Sequence, residues 1–267
     1  MRELLTMWRD TRMIMLVAIT AAIYAAVLIP FNVFTIIPGI TSVRPANVFP
    51  VIFGIMFGPA AAWGSAIGNL IGDIFGGTFG PGSAFGFVGN FFYGFVGYKL
   101  WGNLGPLSSG REPDFRSSAG MQLVEFWAVS IVAATGCAAI IAWGVDLLGL
   151  VPFAVLGTTI TVNNFLAAAV LGPILLYLTY PRIKEMGLLY PDVMHPDDIA
   201  SAEPSRRQLA AYGLAAVSIL WVVVGVGLGT YISQAPASLS QQVLGAIGLI
   251  ALAVFAWMGA ERLSELV

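Results

Sequence analysis

Residues 44–73 read RPANVFPVIFGIMFGPAAAWGSAIGNLIGD, and this stretch decides the fold. Most of the surrounding sequence is apolar, yet the stretch holds Arg44, Asn47, Asn69 and Asp73. Glycines stand at 64, 68, 72 and 76. On a helix, residues four apart share a face, so these glycines predict a smooth groove. Ser65, Asn69 and Asp73 repeat at the same spacing and predict a polar stripe beside it. A helix smooth on one face and polar beside it needs a close-packed neighbour and something polar to hold. The expectation is the heart of a membrane-embedded binding site.

Composition supports lipid as the main solvent. Hydrophobic residues are 58% of the 267 and charged ones 10%, against about a quarter charged in soluble domains. Several apolar segments approach the roughly 20 residues that cross a bilayer as a helix. The 31 glycines and 15 prolines suit transmembrane packing. A net charge of −2 gives no footing for a nucleic-acid partner. Cys137, the single cysteine, lies in an apolar run, so neither a disulfide framework nor a thiolate metal site is expected. No metal or cofactor is expected.

Outward from residues 44–73, the apolar periodicity predicts an all-α membrane protein with spans near 13–31, 46–57, 60–75, 84–100, 121–143, 161–180, 208–231 and 241–260. The first is expected to be a retained helix, since no small-residue cleavage pattern follows it. Residues 76–83, GGTFGPGS, lack the Gly-Lys-Ser/Thr ending of a phosphate loop and predict a flexible gate over a site. Charge and proline concentrate at 181–207. The expected organisation is therefore a six-helix domain at 1–185, a polar cytoplasmic linker at 186–207 and a two-helix extension at 208–267.

Charge placement predicts the orientation. With eight spans and both termini in the cytoplasm, all of the 12 Lys and Arg except Arg44 fall on the cytoplasmic side, as the positive-inside rule favours. Ionisable groups near the membrane interior are costly and usually functional. Arg44, Asp73 and Asp146 fall on the outer half, where Asn47, Asn69, Asn90, Asn163 and Asn164 can converge with Tyr93 and Trp143. Apolar and aromatic walls with a few placed polar groups make a small-molecule pocket. The plainer alternative is an Arg44–Asp73 pair that pins loops to the 60–75 helix. Catalysis has little support: there is no HExxH, no GxSxG elbow and no Walker A lysine, and His195 sits in a polar linker.

The segments SVRPANVFPVIFGIMFGPAAAWGSAIGNLIGD and GFVGNFFYGFVGYKLWG resemble the substrate-binding S component of an energy-coupling factor (ECF) transporter, with most similarity to the QueT-like group associated with queuosine precursors. The resemblance is strongest over 13–104 and looser to 185. It implies a six-helix protein that captures a vitamin or related micronutrient from outside and works with a T component and two ATPase subunits. It also implies T-component contact through an AxxxA pattern, here Ala18, Ala22 and Ala26, and an outer site that suits Arg44, Asn69, Asp73, Asn90 and Asn163. The extension at 208–267 departs from the six-helix pattern. Two other readings stay open: a stand-alone secondary transporter using Asp73 as a proton or cation site, and a ligand-free scaffold.

Overall fold

The computed structural model describes residues 1–38, 40–231 and 237–267. They form an all-α bundle in which helices run between two ends, one carrying both termini and the other a cavity. The helices are α1 (Glu3–Thr6), α2 (Thr11–Phe31), α3 (Val48–Phe57), α4 (Pro59–Gly76), α5 (Gly82–Leu100), α6 (Ala119–Leu147), α7 (Phe153–Glu185), α8 (Tyr190–Val193), α9 (Pro204–Tyr231) and α10 (Leu239–Met258). Among the described residues, five segments are long and apolar enough to cross a membrane: Thr11–Phe31, Ala119–Leu147, Phe153–Val193, Pro204–Tyr231 and Leu239–Glu265. Three further helices, α3, α4 and α5, are short or rich in glycine and polar residues. They are sheltered in the bundle, where helical neighbours replace lipid.

The glycine face of α4 works as the spacing predicts. A Cβ on Gly64 would lie 2.5 Å from Thr20 Cβ, and one on Gly68 would lie 2.9 Å from the Ala21 carbonyl. Only glycine lets α2 approach α4 this closely. The contact buries Val17, Ala21, Tyr24, Ala25 and Leu28 of α2. Ala18, Ala22 and Ala26 are turned outward and exposed, so they do not pack within the bundle. Ser65 of the polar stripe is buried beneath Gly94 rather than open.

α3 and α4 are separated by Gly58, whose φ of +56° reverses the chain at low cost only for glycine. Ten residues give α3 a length of about 15 Å, half a bilayer core, and nine of them are buried. α7 differs from the expected 161–180. Asp146 accepts a 3.0 Å hydrogen bond from the Phe153 amide, satisfying a backbone donor that a helix start leaves free. The helix thus begins at Phe153, ahead of the expected 161, and Asn163–Asn164 sit inside it. Between α2 and α3 a small antiparallel pair, β1 (Thr35–Ile37) and β2 (Thr41–Ser42), closes the cavity end.

At the end with the termini, Lys99 is fully buried and pairs with Glu3 at 2.7 Å. Its ammonium also donates to the Gly259 carbonyl at 3.0 Å and lies 4.7 Å from the Tyr98 ring centroid. Asn103 donates to the Ala260 carbonyl at 2.9 Å, and Tyr190 donates to buried Glu261. α9 packs on α6 and α7, and α10 on α9 and α6. The last two helices therefore lie on the α6–α7 side, while α2 packs chiefly on α4.

Candidate substrate-binding site

A cavity of about 310 Å³ opens at the end opposite the termini. Arg44, Asn47, Asn69, Asp73, Asn90 and Asn164 all line it. They come from four places: the turn before α3 (Arg44, Asn47), α4 (Asn69, Asp73), α5 (Asn90) and α7 (Asn164), while α6 supplies an apolar wall. That wall is Cys137, Ile141 and Val145, spaced four apart and so on one helical face. Residues 77–83 form the rim and include Phe79, which is 65% exposed.

The polar groups are tied into one another. Arg44 Nη1 donates to Asn69 Oδ1 at 2.9 Å, and Arg44 Nη2 stands 3.9 Å from Asp73 Oδ1. Asn69 Nδ2 donates to Asp73 Oδ2 at 3.3 Å. Helical spacing places these two α4 side chains one turn apart, which makes that bond possible. Gly86 leaves room for them, since a Cβ there would lie 3.1 Å from Asn69 Nδ2. The arginine stays in place because its own backbone is held: Asn163 Oδ1 accepts from Arg44 N at 3.3 Å, and Asn163 Nδ2 donates to Ser42 O at 3.0 Å. Asn163 thus staples the loop to α7 without lining the cavity.

Behind the lining, Tyr24 of α2 is fully buried. Its hydroxyl lies 2.8 Å from Asn47 Oδ1 and 2.9 Å from Asn90 Oδ1. Asn47 is in turn hydrogen-bonded to Asn164. Tyr93 is also buried and donates to the Asn164 backbone carbonyl at 3.1 Å, supporting the wall from behind. Trp143 lies away from the cavity, edge-on to Phe85 and Trp221. Its position two residues from Ile141 turns it to the opposite face of α6. Sequence reading missed Tyr24, Cys137 and the α6 stripe. The 137, 141, 145 spacing was available as a signal, whereas a lone tyrosine in an apolar helix offered none.

The arrangement offers a small molecule one cation, one carboxylate and several amides against an apolar wall. Among the described residues, no group of His, Cys, Asp and Glu is placed to bind a metal ion. A family model described as QueT transporter matches residues 14–181, more than half of the chain. The chain belongs to the QueT transporter family. Every residue lining the cavity falls within the matched segment, and α9 and α10 fall outside it. No curated protein and no solved structure gives a significant match. This member of the family is a multi-pass membrane transporter of the S-component kind, built to bind a small-molecule substrate.

Proposed function

We propose that this QueT family member captures a queuosine precursor, or a closely related heterocyclic micronutrient, for an ECF-type importer whose ATPases are separate chains. The observation that carries this reading is the convergence of Arg44, Asp73 and four asparagines on one cavity inside the family-matched segment. In this reading the cavity end faces outward, both termini are cytoplasmic, and residues 77–83 gate entry. Arg44 takes a carbonyl or anionic group of the ligand. Asp73 and the Asn69 amide take ring N–H groups, and the α6 face supplies the apolar wall for a planar ring.

The outward stripe of Ala18, Ala22 and Ala26 suits a close-packed partner helix, here the T component. Its exposure supports that role over packing within the bundle. The 1–185 unit would be the working S component and 208–267 an addition. Because α9 and α10 lie on the α6–α7 side, they leave the alanine stripe clear.

The test is a mild-detergent pull-down of the tagged protein from its native host, with equilibrium binding of a labelled queuosine precursor to the purified chain. Recovery of two ATPases and a T-type subunit, with saturable binding, is the expected result. Recovery of the folded chain alone, with uptake abolished by an uncoupler at constant ATP, would instead support ion-coupled transport through Asp73.

A further inference from the structure

Three asparagines at the site have their amide orientation dictated by partners that can act in one way only. Asn69 accepts from a guanidinium and donates to a carboxylate. Asn163 accepts from a backbone N–H and donates to a backbone carbonyl. Asn90 donates its Nδ2 to the Gly86 carbonyl at 2.9 Å, which leaves its Oδ1 facing Tyr24. Asn47 and Asn164 differ. Their side chains are bonded to each other, and that of Asn47 to Tyr24. Every one of those partners can donate or accept. Only the bonding network distinguishes the two ends of such an amide.

The network has a proton count. Tyr24 carries one hydroxyl proton and two acceptor lone pairs, yet Oδ1 atoms of Asn47 and Asn90 lie 2.8 and 2.9 Å from its oxygen. One hydroxyl proton cannot serve both at full strength, and a buried oxygen–oxygen contact without a proton is costly. Turning Asn90 only moves the conflict to the Gly86 carbonyl. Turning Asn47 and Asn164 together removes it. Tyr24 then donates to Asn90 Oδ1 and accepts from Asn47 Nδ2, and Asn47 Oδ1 accepts from Asn164 Nδ2. Each of the three contacts then has one proton between its two heavy atoms.

We infer that Tyr24 is a positioning residue that sets the hydrogen-bond polarity of the site through Asn47, so that Asn164 turns its carbonyl oxygen away from Asn47, to the side where it meets Cys137 on the cavity wall they share. Tyr24 never touches the ligand. Its hydroxyl fixes Asn47, and Asn47 fixes Asn164. The cavity then offers acceptors at two places, Asp73 on α4 and Asn164 on α7, and a guanidinium donor at Arg44. The ligand class that matches is a planar heterocycle with N–H donors on two separate edges and an acceptor between or beside them. A ligand presenting a bare ring nitrogen or carbonyl toward Asn164 is rejected, because two acceptors would meet in a buried place. This deepens the substrate-capture reading and rests on it for the ligand class, while the relay itself stands without a ligand.

The relay is read spectroscopically. A tyrosine hydroxyl that both donates and accepts has a different Raman ring-doublet ratio from one that only donates. With eight tyrosines in the chain, the difference spectrum between wild type and Asn47→Val isolates Tyr24. The relay predicts a change from donor-and-acceptor to donor-only, since Asn47→Val removes the group that donates to Tyr24 and leaves Asn90. A doublet that is the same in both proteins overturns the proposal, whether donor-only or donor-and-acceptor, since in the latter case the Arg44 guanidinium beside Tyr24 would be the only source of a donated proton. The second arm is affinity for the labelled queuosine precursor. Tyr24→Phe should weaken binding by roughly tenfold, the scale of one buried hydrogen bond left unmade, in protein with the wild-type elution profile. Unchanged affinity overturns the positioning role. If wild type does not bind the precursor at all, the substrate reading fails and the Raman arm still decides the relay.

Discussion

Arg44→Met removes the cation facing Asp73 and keeps much of the aliphatic stem. With Arg44 Nη2 and Asp73 Oδ1 3.9 Å apart, Coulomb's law gives about 1 kcal/mol in water and about 4 kcal/mol at an effective dielectric near 20. The two side chains are 13% and 10% exposed and both line the cavity, so the direct coupling falls between these limits, at about 2 kcal/mol. The same substitution strips Asn69 Oδ1 of its 2.9 Å donor, which adds about 1–3 kcal/mol. The single variant should therefore lose about 3–5 kcal/mol, the range for a buried ion left without its partner. Asp73→Asn in the Arg44→Met background removes the orphaned charge and should recover about 2 kcal/mol. The assay is a double-mutant cycle on reversible unfolding in mixed micelles. A coupling energy below about 0.5 kcal/mol, the scatter of additive sites, would refute the claim that this pair is electrostatically joined.

Further outcomes test the rest. Asn69→Ala should weaken queuosine-precursor binding by roughly tenfold with the protein still folded, and unchanged affinity by isothermal titration would remove α4 from the site. Trp143→Phe should leave that affinity within about twofold, because the indole packs on Phe85 and Trp221 outside the cavity. Ala22→Leu, on the exposed stripe of α2, should abolish co-purification of a T-type subunit without changing ligand affinity; retained co-purification would put the docking face elsewhere. Burial pushes the Glu3 carboxyl up, but the Lys99 ammonium outweighs it and holds the group below its ordinary value. That depressed value contributes stability above the ordinary glutamate range of about pH 4.3, lost as pH falls toward the lower folded value. Protection factors of the amides over 3–8, taken against the intrinsic exchange rate at each pH, should thus fall on acidification, and Glu3→Gln should flatten the profile.

Some of this was legible in the sequence for physical reasons. Fourth-residue spacing is a statement about one helix, so the glycine face of α4 and the Asn69–Asp73 pair could be read from residues 64–76 alone. Arg44 stood out because a cation among apolar residues needs a reason. Tyr24 did not, because its partners Asn47 and Asn90 lie 23 and 66 positions away and nothing local announces them. Trp143 attracted notice by type, while its helical phase relative to Ile141 placed it on another face. The expected start near 161 lay beside Asn163 and Asn164, since polar residues favour helix caps. Asp146 moved that start to Phe153 by accepting its amide. The ties of Lys99 to Glu3 and Gly259 span 96 and 160 positions, beyond any pattern within a helix.

Those last ties put the assembly of this protein on a clock. Lys99 reaches its final surroundings only when residue 259, which lies 160 positions later, has been made. At typical synthesis rates of 5–20 residues per second that is roughly 8–30 seconds. Through that interval the ammonium has Glu3 as an early partner but lacks the Gly259 carbonyl. The amino-terminal helix therefore serves as the nascent chain's provisional counter-ion. A chain stalled before residue 259 would lack that carbonyl and leave the surroundings of Lys99 incomplete.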